Sequence, residues 1–225
     1  MNKKLNYTLI ASGLLVGMAA SPTFAATPFD GPYLGLQLGH SVHDIKVTST
    51  TSTISSNTEG ISASGADGGL YTGWGTKISP TTYGGVEAEY SWSGAEHTTT
   101  ETELGFGTST ANIKEKYNYG LSARLGWLPT SSTMLYGRAG WQRTNIDYSG
   151  SLTGGEGNFS YNTNQDHDGW RLGAGAEVAL TSDWLLRLDY AHTWYNDETL
   201  TPVAGFSMKL EPQHDVFRVG IAHQF

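Results

Sequence analysis

Charged residues spaced among glycines and small residues at every second position are the part of this chain best placed to do chemistry. Glu87 and Glu89 alternate with Val86, Ala88, Tyr90 and Trp92, and Arg124 stands among Gly120, Ser122 and Gly126. Arg171 and Glu177 bracket Gly173 and Gly175, while Arg187 and Asp189 alternate with Leu186, Leu188 and Tyr190. Lys77, Arg138 and Arg218 complete a set of ten, six basic and four acidic. Gathered on one face of neighbouring strands, such groups pair; alone each is costly to remove from water, but paired and multiply hydrogen-bonded it can be held. Two readings follow: a charged permeation path, or a plug of ion pairs.

The seven histidines offer a second chemistry. His43-Asp44, Asp166-His167-Asp168 and His214-Asp215 each set an imidazole beside an acid, and a carboxylate can orient an imidazole that binds a metal. His40, His43, His97, His167 and His214 are spread over four strands with no compact ligand spacing, so the expectation is no metal and no cofactor. His43, His167 and His214 are the outer-rim residues to inspect. No histidine is followed two positions later by serine, and no segment gathers Ser, His and Asp on one face as a hydrolytic triad requires. No catalytic residue is expected.

Strands of alternating face must position these groups. Eight period-two segments run at about 32–47, 67–78, 82–97, 113–128, 134–148, 167–181, 184–196 and 214–225. Each exceeds the 9–11 or so residues that a tilted strand needs to cross hydrocarbon. The connections alternate: short ones such as Ser79-Pro80-Thr81 and Ser182-Asp183, then long ones rich in Ser, Thr, Gly and acids. That alternation fits a barrel with turns at one membrane face and long connections at the other. The face opposite the charges is apolar and carries all seven tryptophans. Trp127 and Trp184 lie toward the short turns, and Trp92, Trp170 and Trp194 toward the long connections, as two interfacial belts would require. A soluble barrel exposing them would aggregate. The fold class is therefore all-β: an eight-stranded antiparallel up-and-down transmembrane β-barrel. With eight strands, the plug is favoured over the path, because a barrel of that size is filled by side chains.

Lys3 and Lys4, the apolar run Leu9 to Ala20 and the small residues before Ala25 read as a cleaved signal peptide over 1–25, followed by one barrel domain over 26–225. The 21 acidic against 13 basic residues argue against nucleic acid as a partner. There are no cysteines to staple an exported chain. The last strand sets Phe217, Val219, Ile221, His223 and Phe225 against Arg218, Gly220, Ala222 and Gln224, a lipid face against a lumen face.

Several stretches together resemble the outer-membrane protein β-barrel domain family, the small porin-like surface proteins of Gram-negative bacteria, and more distantly the OmpA transmembrane domain and OmpX. They are Phe29-Asp-Gly-Pro-Tyr-Leu-Gly-Leu-Gln-Leu-Gly39, Tyr119-Gly-Leu-Ser-Ala-Arg-Leu-Gly-Trp127, Gly169-Trp-Arg-Leu-Gly-Ala-Gly-Ala-Glu177, Trp184-Leu-Leu-Arg-Leu-Asp-Tyr190 and the terminal Phe225. His223 departs from the family's usual aromatic or aliphatic residue. The resemblance implies residence in the outer membrane among its lipids and lipopolysaccharide. It also implies assembly by the insertion machinery that reads the C-terminal strand, with Phe225 as the assembly signal. Some relatives are described as haem binders. The expected role is structural, as a monomer whose long connections contact a host or cell-surface ligand; a narrow porin for small solutes is the alternative, with haem or metal binding at the outer rim and a lipid A-modifying enzyme as minor ones.

Overall fold

The computed structural model describes residues 27–51, 55–103, 107–154, 157–203 and 206–225. Residues 1–25, expected from the sequence to be a signal peptide, lie outside the described residues. Ten strands follow in chain order: β1 Gly31–Thr51, β2 Ser55–Ser79, β3 Thr82–Ser93, β4 Glu96–Glu103, β5 Gly107–Thr130, β6 Thr133–Gly154, β7 Gly157–Ala179, β8 Trp184–Tyr195, β9 Glu198–Val203 and β10 Phe206–Gln224. β4 continues the line of β3 past Gly94-Ala95, and both pair with β5. β9 likewise continues β8 alongside β10. The ring thus has eight antiparallel ribbons, closed where β1 pairs β10 from Tyr33↔Gln224 to Thr51↔Phe206. Closure removes the sheet edge that hydrocarbon cannot satisfy.

The alternation of residue types dictates two surfaces. Leu36, Leu38, Val86, Leu121, Leu125, Trp170, Leu172 and Phe217 point outward and are exposed, as are Trp74, Trp92, Trp127, Trp184 and Trp194. A soluble protein does not present such a continuous apolar belt; a bilayer covers it. Inside, the short-turn end is closed by a packed floor of Phe29, Tyr33, Tyr71, Tyr83, Leu128, Met134, Tyr136 and Leu185.

Two features depart from the sequence-based expectation. The long connections are mostly strand: β5, β6 and β7 run 24, 22 and 23 residues, so the outer hairpins continue the barrel wall well beyond the membrane. Their Thr- and Ser-rich composition suits β-structure, since a β-branched side chain packs well on a pleated surface. Second, Lys116 is an extra residue between the Glu115↔Ile146 and Tyr117↔Asn145 pairs. Such a bulge shifts the phase of the strand, and every residue beyond it changes face. It turns Glu115, outward by simple alternation with Tyr119 and Leu121, into the lumen.

Candidate functional site

Above the aromatic floor the lumen is filled by charge. Glu87 lies at the centre: its carboxylate meets Arg187 Nη2 at 2.7 Å, Arg124 Nη1 at 3.2 Å and Arg138 Nη1 at 3.3 Å, and accepts from Tyr33 Oη at 2.7 Å. Glu177 is shared by Arg187 at 2.6 Å and Arg124 at 2.8 Å. Glu89 takes Arg138 at 2.8 Å, Arg218 at 3.5 Å and Arg171 in close contact. Asp189 joins Arg138 at 3.0 Å and Tyr136 Oη at 2.6 Å. The charged side chains come from six strands and are all buried. With each carboxylate met by two or more donors, the desolvation cost of burying it is offset.

The two lower arginines are also stacked. Arg124 Cζ lies 4.0 Å from the Tyr136 ring centroid, and Arg187 Cζ 3.9 Å from that of Tyr71. A desolvated guanidinium over an aromatic face is attracted by about 2 kcal/mol or more. Glycine makes the room: a Cβ on Gly35 would stand 2.3 Å from Tyr71 Cζ.

The structure brings Glu87, Glu89, Arg124, Arg138, Arg171, Glu177, Arg187, Asp189 and Arg218 into this cluster. Lys77 is not in it. It sits half-buried near the short β2–β3 turn, opposite Tyr83 in register, with the aromatic floor around that tyrosine between it and the acids. Asp67, which the sequence reading omitted, takes its place and grips Arg218. It shares the inward parity of Tyr71 on β2, a signal that a face-by-face reading of that strand would have caught. With Lys77 out and Asp67 in, five arginines face five carboxylates among the described residues, and the formal charge of the layer closes to zero.

Above this layer the interior turns to uncharged polar groups and imidazoles. Gln142 Nε2 donates to Tyr195 Oη at 2.9 Å, and Tyr195 Oη and Thr144 Oγ1 lie 2.6 Å apart. His43, His167 and His214 all point inward and are buried. His43 and His214 stack on each other, and His43 Nε2 bonds Glu115 at 2.6 Å. His167 is placed apart, 3.2 Å from Tyr148 Oη. Farther out, on the wall beyond the membrane, Lys116 Nζ lies 2.5 Å from Asp147. That hydrogen bond holds the Asp147 carboxyl below its ordinary range. Of the two belts, Trp92, Trp170 and Trp194 ride the outer side of β3, β7 and β8, and Trp127 and Trp184 the turn side of β5 and β8. Phe225 donates its amide to Pro32 O at 3.0 Å and holds its ring against His223, which in turn packs edge-on against Trp184.

A family profile described as outer membrane protein beta-barrel domain matches residues 11–225. The 31 kDa outer-membrane immunogenic protein of Brucella melitensis is 24% identical over 226 residues, covering 96% of this chain and 93% of that protein. The 25 kDa outer-membrane immunogenic protein of Brucella canis is 30% identical over 197 residues, covering 87% and 78% respectively. Among solved structures, the outer membrane protein OprG of Pseudomonas aeruginosa superposes with a TM-score of 0.52 at 16% identity, covering 87% of this chain and 96% of that one. The outer membrane protease OmpT of Escherichia coli gives 0.50 at 10% identity, covering 88% and 98%. At such identities the structural likeness speaks for the fold alone. The apolar belt therefore contacts the lipids of the outer membrane, and the chain belongs to the outer membrane protein beta-barrel domain family.

Proposed function

We propose that this protein is a closed, non-conducting outer-membrane barrel whose work is done at its outer surface. The observation that carries this reading is the charge-neutral layer centred on Glu87, laid over the aromatic floor of Tyr33, Tyr71, Tyr83 and Tyr136. The ion pairs of the upper layer tie together side chains from six strands of the ring, and a barrel of eight strands is normally filled by side chains. An ion crossing would have to part contacts near 2.7 Å that have no solvent to replace them.

On this reading the rigid ring is a pedestal. The strands that extend outward carry recognition surfaces to a host or cell-surface ligand, as exposed segments on a fixed scaffold commonly do. The barrel acts as a monomer, exported by a cleaved leader and inserted by the machinery that reads its last strand. We assign it no catalytic residues: among the described residues, the contacts of His43 with Glu115 and of His192 with Asp215 place no serine, threonine or cysteine nucleophile beside either imidazole.

Planar-bilayer recording of the refolded, purified chain tests this. The expectation is a silent membrane; reproducible, stable conductance steps would establish the narrow-porin alternative instead.

A further inference from the structure

On the outer side of the ion-pair layer, three polar side chains from three strands converge. His43 on β1 and His214 on β10 are register partners, their rings stacked with centroids 4.0 Å apart and planes within 4°. Glu115 reaches them from β5 across the lumen, carried there by the Lys116 bulge, with its Oε2 2.6 Å from His43 Nε2. One ligating atom from each of the three lies within 4.8 Å of the others, and all three residues are buried.

Two observations show that this group is incomplete as it stands. His214 Nε2 is fully buried and has no hydrogen-bond partner, a state that costs free energy whether that nitrogen carries a proton or a lone pair. Beside His43 and Glu115 lies a cavity of about 20 Å³, walled by Ala63, Ala95, Ile113 and Ile146. That is room for one water-sized occupant.

We propose that His43, His214 and Glu115 form an intrabarrel binding site for a single divalent transition-metal ion of the zinc, nickel or copper type. Two imidazole nitrogens and one carboxylate oxygen match that class. Calcium and magnesium want an all-oxygen shell. Neighbouring polar groups stand where they can hold the ligands. Asn118 Nδ2 donates to Glu115 Oε1 at 3.0 Å, leaving Oε2 for the ion. Gln142 lies 3.4 Å from His214 Nδ1, and turning its amide lets the carbonyl oxygen accept an Nδ1 proton, which frees Nε2 to ligate.

Loading requires one imidazole to rotate out of the stack, because parallel rings 4.0 Å apart cannot both aim an in-plane lone pair at one ion. Ligands about 2.0–2.1 Å from a tetrahedral zinc stand about 3.3 Å apart. The His43–Glu115 contact therefore opens by roughly 0.7 Å, and the cation replaces a shared proton. With three protein ligands, a fourth position is left for water. One carboxylate against a doubly charged ion, with Arg171 and Arg218 in the layer below, favours reversible loading over permanent structural binding.

The experiment is calorimetric titration of the refolded chain in detergent, stripped with chelator, using zinc chloride. The expected result is one saturable equivalent, weakened at least tenfold in His214→Ala and in Glu115→Gln. His40→Ala, on the lipid face, should bind as the native chain does. Absent saturable binding by the native chain, undiminished binding by either ligand variant, or a loss caused by His40→Ala would each overturn the proposal. X-ray absorption of the zinc-loaded native chain decides the matter even where a variant fails to fold: two imidazoles in the shell support the site, and a shell without them rejects it.

Discussion

Arg218 grips Asp67 side-on across the top of Gly39, with Nε 2.5 Å from Oδ1 and Nη2 3.2 Å from Oδ2. Gly39 is the register partner of both residues, one on each side of β1. A Cβ there would lie 2.7 Å from Arg218 Cγ and 2.1 Å from the Phe217 carbonyl oxygen. The absent side chain on β1 is what lets β10 and β2 be joined over it, next to the seam where the ring closes.

That pair gives a double-mutant cycle with a definite sign. Asp67→Leu alone strands a buried guanidinium whose other acidic contact, Glu89, is 3.5 Å away, Arg218→Met alone strands the buried Asp67 carboxylate, and each should destabilise by about 3–5 kcal/mol. Asp67→Leu with Arg218→Met removes both charges and should recover most of that loss, because a buried pair replaced by apolar groups is often neutral. Melting by circular dichroism in micelles reads the cycle. A double variant as unstable as the sum of the singles would show that the pair is not coupled.

Arg124→Ala and Arg187→Ala each leave Glu87 and Glu177 short of a partner and empty the space over an aromatic ring. Both should lower the unfolding temperature, each by the equivalent of several kcal/mol. Lys77→Ala should leave it nearly unchanged. Unaltered melting of both arginine variants would contradict the arrangement of the lumen.

The outer hairpin of β5 and β6 should respond to acid in one direction only. Lys116 holds the Asp147 carboxyl below its ordinary value of 3.8. A lowered folded-state value means the contribution is complete above that ordinary value and lost as pH falls through the lowered one. Amide exchange at residues 113–116 and 145–148 should therefore be steady from pH 7 to 5 and quicken, relative to the intrinsic rate, only below about 4. Lys116→Ala should abolish the transition; a transition that persists in that variant would assign it elsewhere.

Removing Phe225 should separate assembly from stability. Phe225 is 41% exposed and its ring meets His223 at an angle, so the refolded barrel should melt within a few degrees of the native chain. In cells, the amount inserted should fall severalfold. Equal insertion would show that the terminal ring carries no assembly information.

The two faces of every strand were legible in the sequence because period-two alternation is local: Val86, Ala88, Tyr90 and Trp92 separate from Glu87 and Glu89 without knowledge of any neighbour. So were ring closure and membrane residence, since a chain with greasy strands, tryptophan belts and no cysteines has few other stable solutions. Which charge meets which was not. Partnership across the lumen depends on strand stagger and tilt around the whole ring, quantities that no single strand contains. Asp67 therefore finds Arg218 from 151 positions away, while Lys77, of the right parity, sits near the turn, below the aromatic floor. Glu115 was hidden for a different reason: one extra residue, Lys116, reverses the phase of β5, and only the pairing of Ile146 with Glu115 reveals it. Alternation is a property of the strand; convergence of His43, Glu115 and His214 is a property of the closed ring, decided by bulges and register that the chain settles only once all eight ribbons are paired.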